Sequence, residues 1–298
     1  MTRMITAPTQ ASSVSGGNPL STTAYLTCPE GRVSYDLGGT GPLVVLVPGM
    51  GDLRAGYRFL SPVLRSAGYR VACTDLRGHG DSDASFTSYG DAETAADVVA
   101  LIEELGGPAV VIGNSMAAGS AVIVAAGRPD LVSGLVLLGP FVRNGKVTAM
   151  QTLMFRVAMA RPWAAASWNA YLPKLYAGRR PVDFDDYRQK VVASLHQPGH
   201  AKAFSLTTRT SHAQSESQLP RISTPTLIVM GDLDPDFPSP RAEADWIAQA
   251  LHGQVVMVPE AGHYPQSQRP DITNDAILGF LKTARPTEAT PKTPLASA

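Results

Sequence analysis

Short apolar runs alternate with longer amphipathic stretches over most of this chain. Leu43-Val44-Val45-Leu46-Val47 is continuously apolar, of strand length, and stopped by Pro48-Gly49. Such a run fits a strand buried on both faces. Residues 58–67 have helical spacing and end at Gly68, the residue favoured just past a helix C-terminus. A strand ending at Thr74 follows, then a helix over 92–105 closed by Gly106-Gly107-Pro108, a strand over 109–112, a mostly apolar helix over 115–128 and a strand over 135–138. From 141 to 219 helical patterns continue without a clear strand. The alternation resumes with a strand over 226–230, a helix over 241–251, a strand over 254–258 and a final helix over 272–282.

This order predicts an α/β fold, a mostly parallel sheet wrapped by helices. The core is expected over 21–140 and 220–283, with 141–219 inserted as a helical cap. Segments 1–20 and 284–298 are biased towards Ser, Thr, Gly and Pro and are expected to be flexible ends. Within the insertion, Met150, Met154, Val157 and Ala158 share helical spacing, and Trp163, Trp168, Tyr171 and Leu172 follow. These are expected to pack the cap on the core, with some lining a pocket; Trp163 is taken as the pocket residue.

Composition narrows the function. Of 298 residues, 25 are Lys or Arg and 25 are Asp or Glu, so no overall basic field draws nucleic acid. Cys28 and Cys73 lack metal-type spacing, and Cys73 reads as a free thiol in a strand. The most apolar stretch, 147–166, contains Arg156, Arg161 and Pro162, which argues against a membrane span. The first twenty residues have no continuous apolar run of the kind a signal peptide needs. The expected setting is cytoplasmic, with a small-molecule substrate, no nucleic-acid or membrane partner, and no metal or cofactor; oligomeric state is left open.

The candidate chemistry starts at Gly113-Asn114-Ser115-Met116-Ala117, between a buried strand and a helix. A sharp strand-to-helix turn exposes a serine hydroxyl, and small residues two positions away on either side avoid clashes. Serine also favours helix N-caps, so the motif acquires meaning only with partners. A serine nucleophile needs a base. Among six histidines, His79 lies in a Gly-flanked loop, and Pro198-Gly199 breaks any helical pairing of His196 with His200. His212 and His252 sit among polar residues and are expected in solvent. His263 follows the strand 254–258, at the end where open α/β sheets place their sites. The acid is expected between nucleophile and base in the chain. Gly231-Asp232-Leu233-Asp234-Pro235-Asp236 supplies it; Asp234 is preferred, with Asp232 and Asp236 as rivals. Val47-Pro48-Gly49-Met50-Gly51 offers backbone N–H groups, so Met50 (with Gly51 as second choice) and Met116 are the candidate oxyanion donors. Met50 and Met116 also offer apolar surface to a substrate.

With these motifs in place, the chain resembles the α/β-hydrolase superfamily from about Tyr25 to Lys282. Asp75-Leu76-Arg77-Gly78-His79-Gly80-Asp81-Ser82 is similar to that family's D-x-R-G-x-G-x-S segment, a structural loop, and the Asp234 and His263 loops resemble its acid and histidine loops. Pro48, Asn114 and Ala117 depart from the family's usual His, His or Gln, and Gly. The resemblance implies a triad of Ser115, Asp234 and His263 and a serine hydrolase that cleaves a carboxylic ester (or a lactone or thioester) of a small, mainly apolar substrate through an acyl-enzyme. Two alternatives use the same residues: a C–C bond hydrolase or perhydrolase, for which Arg143, Arg156 and Arg161 are candidate carboxylate ligands, and a slow ligand sensor.

Overall fold

The computed structural model describes residues 22–145 and 148–284. Eight strands form one sheet: β1 (Thr22–Cys28), β2 (Gly31–Gly38), β3 (Leu43–Val47), β4 (Arg70–Thr74), β5 (Ala109–Asn114), β6 (Val132–Leu138), β7 (Thr226–Gly231) and β8 (Gln254–Val258). Their spatial order is β1-β2-β4-β3-β5-β6-β7-β8. The hairpin β1–β2 and the β2–β4 pair are antiparallel, and the remaining neighbours are parallel. Every residue of β3, β5 and β7 is buried, as strands covered on both faces require.

Helices α1 (Ser61–Ser66), α2 (Asp91–Leu105) and α3 (Met116–Gly127) precede β6, and five helices lie between β6 and β7. These are α4 (Ala149–Ala158), α5 (Ala164–Leu175), α6 (Phe184–Leu195), α7 (His200–Thr207) and α8 (Ala213–Gln218). After β7 come α9 (Pro240–Leu251), then α10 (Pro265–Gln268) and α11 (Pro270–Thr283). Strand side chains alternate between two layers. Val45, Val111, Leu137 and Ile228 pack against α2, α3 and α9. Val44, Val110, Val136 and Leu227 pack against Leu64 of α1 and Ile277 of α11. The inserted helices build a third core from Trp168, Leu172, Tyr187 and Phe204, which also takes in Tyr264.

The structure departs from the sequence reading in several places. The expected helix over 58–67 is a 3₁₀ turn, Arg54–Tyr57, followed by α1, whose start is set by Pro62 in its first turn. The β1–β2 hairpin is additional; its outer strand is largely solvent-facing and offers little apolar signal. The stripe of α4 does not pack: no residue of α4 is buried, because the core of the insertion is closed by α5, α6 and α7. His212, expected in solvent, is buried, with Nδ1 2.8 Å from Asp91 Oδ2 on α2. The stretches 1–21 and 285–298, which contain the expected flexible ends, lie outside the described residues, and Ala284 is buried.

The Asp75–Ser82 loop is a polar clasp. Buried Asp75 accepts the Arg54 backbone N–H at 2.7 Å and the Ser34 hydroxyl at 2.9 Å, and pairs with the Arg54 guanidinium. A Cβ on Gly80 would sit 2.1 Å from Asp75 Oδ2, whereas a Cβ on Gly68 would meet nothing within 4 Å; both glycines have positive φ. Gly68→Ala should therefore cost only about 1 kcal/mol, for the backbone alone. Gly80→Ala should cost about 3 kcal/mol or more, because strain and a clash with a buried carboxylate add. Urea unfolding of the two variants measures the difference.

Candidate active site

Ser115 sits between β5 and α3 with φ 56° and ψ −123°. A non-glycine residue in this region is strained and persists only when its surroundings hold it. Here the Ser115 N–H donates to Leu138 O at 2.9 Å, and its carbonyl accepts from Ala118 N at 3.0 Å and Phe141 N at 3.2 Å. The strain explains why β5 runs to Asn114 and α3 starts at Met116. At Gly113 a Cβ would lie 2.3 Å from Ala117 O, so glycine is required there, while Ala117 is accommodated in the core. Asn114 Nδ2 donates to Leu138 O at 2.9 Å and to His263 O at 3.2 Å, joining the turn to the histidine loop.

His263 Nδ1 lies 2.8 Å from Asp234 Oδ2, and both residues are 2% exposed. Of the three aspartates in this loop, Asp234 holds the imidazole. Asp232 is exposed, and Asp236 Oδ2 stands 3.8 Å away while its Oδ1 accepts the Tyr171 hydroxyl at 2.6 Å. Burial pulls the His263 pKa down, but the charge and hydrogen bond of Asp234 and the charges of Asp236 and Asp52 outweigh it and push it up to about 9. The loop is fixed by His263 N–H donating to Leu175 O at 2.8 Å and by Gln268 Oε1 accepting from Gly262 N at 2.9 Å. At Gly139 (φ 48°) a Cβ would come 3.1 Å from His263 Nδ1, so only glycine lets β6 end against the pair.

The Gly49–Gly51 turn lies against the serine: a Cβ on Gly49 would be 2.8 Å from Ser115 Cβ. The Gly51 N–H is already taken by His79 Nε2 at 3.0 Å. Burial drives the His79 pKa down to about 4, leaving a neutral ring whose Nδ1–H donates to Arg77 O at 2.9 Å. The N–H groups of Met50 and Met116 make no protein hydrogen bond among the described residues. The inserted helices hold the turn from the other side. Trp168 Nε1 donates to Gly51 O at 2.8 Å, and the Tyr187 hydroxyl bonds Asp52, whose carboxyl burial pushes up to about 6. Trp163 stands 48% exposed with its Nε1 donating to Val157 O, so the tryptophan against the turn is Trp168.

Asp234, Asp236 and His263 are the grouping of metal-ligand types that occurs among the described residues, with atoms within 4.8 Å of one another. Their facing atoms already bond to each other and to Tyr171. His196 is exposed and His200 buried. Of the arginines considered as carboxylate ligands, Arg143 pairs with Glu243 at 2.5 Å and lies over the Trp246 ring, while Arg156 and Arg161 are exposed. Sequence reading missed Gly139 and Gln268 as parts of the site, and it named Asn114 and Tyr171 without the hydrogen bonds they make here. Gly139, directly after a predicted strand, carried the one visible signal.

Residues 44–276 match the model of the alpha/beta hydrolase family. The chain belongs to this family. The chain is similar to 2-(acetamidomethylene)succinate hydrolase of Mesorhizobium japonicum, 27% identical over 263 residues, covering 84% of this chain and 92% of that protein. The mouse (Mus musculus) sn-1-specific diacylglycerol lipase ABHD11 is 26% identical over 272 residues, covering 84% and 85%. A bromoperoxidase structure from Bacillus anthracis superposes with a TM-score of 0.76 at 21% identity over 88% of this chain and all of that one.

Removing the Asp234 charge removes the largest contribution favouring imidazolium, so Asp234→Asn should lower the His263 pKa. Asp236→Asn should lower it less, because its carboxylate is farther from Nδ1. NMR titration of the His263 ring in both variants tests the assignment; an equal or reversed order would make Asp236 the partner.

Proposed function

We propose that this hydrolase cleaves carboxylic esters of small, mainly apolar substrates through an acyl-enzyme. The observation that carries the reading is the buried His263–Asp234 pair tethered through Asn114 to the strained Ser115 turn. In this mechanism Ser115 Oγ attacks the ester carbonyl while His263 Nε2, the nitrogen not bonded to Asp234, takes its proton. Asp234 holds the tautomer and stabilises the imidazolium. The N–H groups of Met50 and Met116 receive the oxyanion, with the turn held open for Met50 because His79 occupies the Gly51 N–H. The imidazolium then protonates the departing alkoxide, and His263 activates water to release the acid.

The apolar preference is supported by half-buried Met50 in the turn that lies against the serine and by Phe141, whose ring lies 5.8 Å from the His263 ring, while the Met116 side chain is buried in the core. The insertion is read as a cap, since Leu175, Tyr171, Trp168 and Tyr187 bond to the loops of His263, Asp236, Gly51 and Asp52. The ABHD11 relative, by its name a lipase, supports ester cleavage over C–C cleavage, as does the placement of Arg143 away in a pair with Glu243.

Ser115→Ala should retain the wild-type melting temperature, lose labelling by a fluorophosphonate probe, and lose about ten-thousand-fold or more in turnover of a short aryl ester. Full labelling of the variant would refute the assignment. A base with a raised pKa is protonated and idle at lower pH. kcat/KM should therefore climb with pH, with its half-point above the ordinary imidazole value of ~6.5. A half-point below that value would mean that His263 is not the titrating base.

A further inference from the structure

Met150, Leu153, Met154 and Val157 fall on one face of α4, at the spacing of an amphipathic helix. The face is bare: these residues are 64%, 55%, 64% and 53% exposed, and Trp163, just past the helix, adds its half-exposed ring. A contiguous exposed apolar face marks a contact surface. Charge identifies what it contacts. The whole chain is balanced, yet residues 131–182 hold seven Lys and Arg and no Asp or Glu. Arg143 is spent on Glu243, but Arg156 on α4 and Arg161 beyond it are exposed and form no ion pair among the described residues.

We propose that α4, with Arg156, Arg161 and Trp163, docks on an anionic phospholipid membrane surface. An apolar helical face flanked by arginines and a tryptophan suits the boundary between headgroups and acyl chains, with the helix lying in the plane. A second copy suits it poorly. A two-fold contact sets a patch against itself, so Arg156 and Arg161 would meet cations with no acidic residue of the segment to answer them. No helix among the described residues is long and apolar enough to cross a membrane, which leaves surface attachment open. The expectation of no membrane partner came from the lack of a span and does not bear on an in-plane helix. Attachment through α4 would turn the inserted helices, which bond to the Asp234 and His263 loops, towards lipid. The proposal stands apart from the ester reading.

The test is co-sedimentation of the full chain with phosphatidylcholine vesicles and with vesicles of phosphatidylcholine and phosphatidylglycerol in equal parts. Binding is expected to the anionic vesicles only, and to weaken as salt is raised. Met150→Glu with Met154→Glu should lower it by about tenfold or more, because two exposed apolar anchors are lost and two anions gained. Arg156→Gln with Arg161→Gln should weaken it while preserving the apolar face. All four substituted side chains are exposed, so both variants should melt as wild type does. Absent binding, equal binding to neutral vesicles, or variants that bind as wild type would overturn the proposal. So would a dimer in sedimentation equilibrium that Met154→Glu dissociates, since a second copy would then cover the face. Turnover of a soluble short ester, measured in parallel, reports on the Ser115 reading separately.

Discussion

The arrangement of this molecule turns on one residue held in an unfavourable backbone conformation. Ser115 has a left-handed φ between β5 and α3, and the neighbouring structure holds it there. The end of β6 accepts its N–H, Phe141 and Ala118 donate to its carbonyl, and Gly113 leaves room for Ala117 O. Strain of this kind costs on the order of 1–3 kcal/mol and survives only where surrounding contacts over-determine it. The same contacts place the other parts. Gly49 rests on the serine, Gly139 rests on His263, and Asn114 bonds the ends of both neighbouring segments. Glycine at 49, 113 and 139 reflects close approach of neighbouring atoms, closest at 113, where a Cβ would run into the Ala117 backbone.

The His263–Asp234 pair is the electrostatic counterpart of that strain. Burial alone would neutralise the imidazole, and His79 illustrates the outcome, a ring driven down to about 4 with no carboxylate against it. Around His263 the balance reverses because Asp234 is in contact and Asp236 and Asp52 add negative field. Two buried histidines in one domain thus have opposite tendencies for a local reason. One anchors a turn as a neutral acceptor, and the other has its imidazolium form favoured.

The inserted helices also bear on the loops of the candidate site. Leu175, Trp168, Tyr171 and Tyr187 each bond a loop at the C-terminal edge of the sheet, and Gln268 donates to Ala177 O and Arg179 O at 2.8 Å each. The geometry of the site is therefore shared between the sheet and a segment that has its own apolar core. A second buried histidine–aspartate contact, His212 with Asp91, ties the far end of the insertion to α2 and stacks against Phe141. Helix α4, with no buried residue, stands outside this packing.

Period and punctuation alone determined much of this protein. The continuous apolar runs became the inner strands, glycine and proline marked the ends of elements, and the small-residue motif around Ser115 with later Asp and His loops pointed to the candidate site. These signals are local, since each reflects the geometry of a few consecutive residues. The sequence favoured Asp234 but left Asp232 and Asp236 as rivals, because three carboxylates in one loop differ only in where the loop folds. The loss of Gly51 as a free donor was not legible, since its partner, His79, is distant in sequence. Burial of His212 and exposure of the α4 stripe were misjudged for the same reason. Periodicity says which side chains share a face, and only the packed structure decides what, if anything, meets that face.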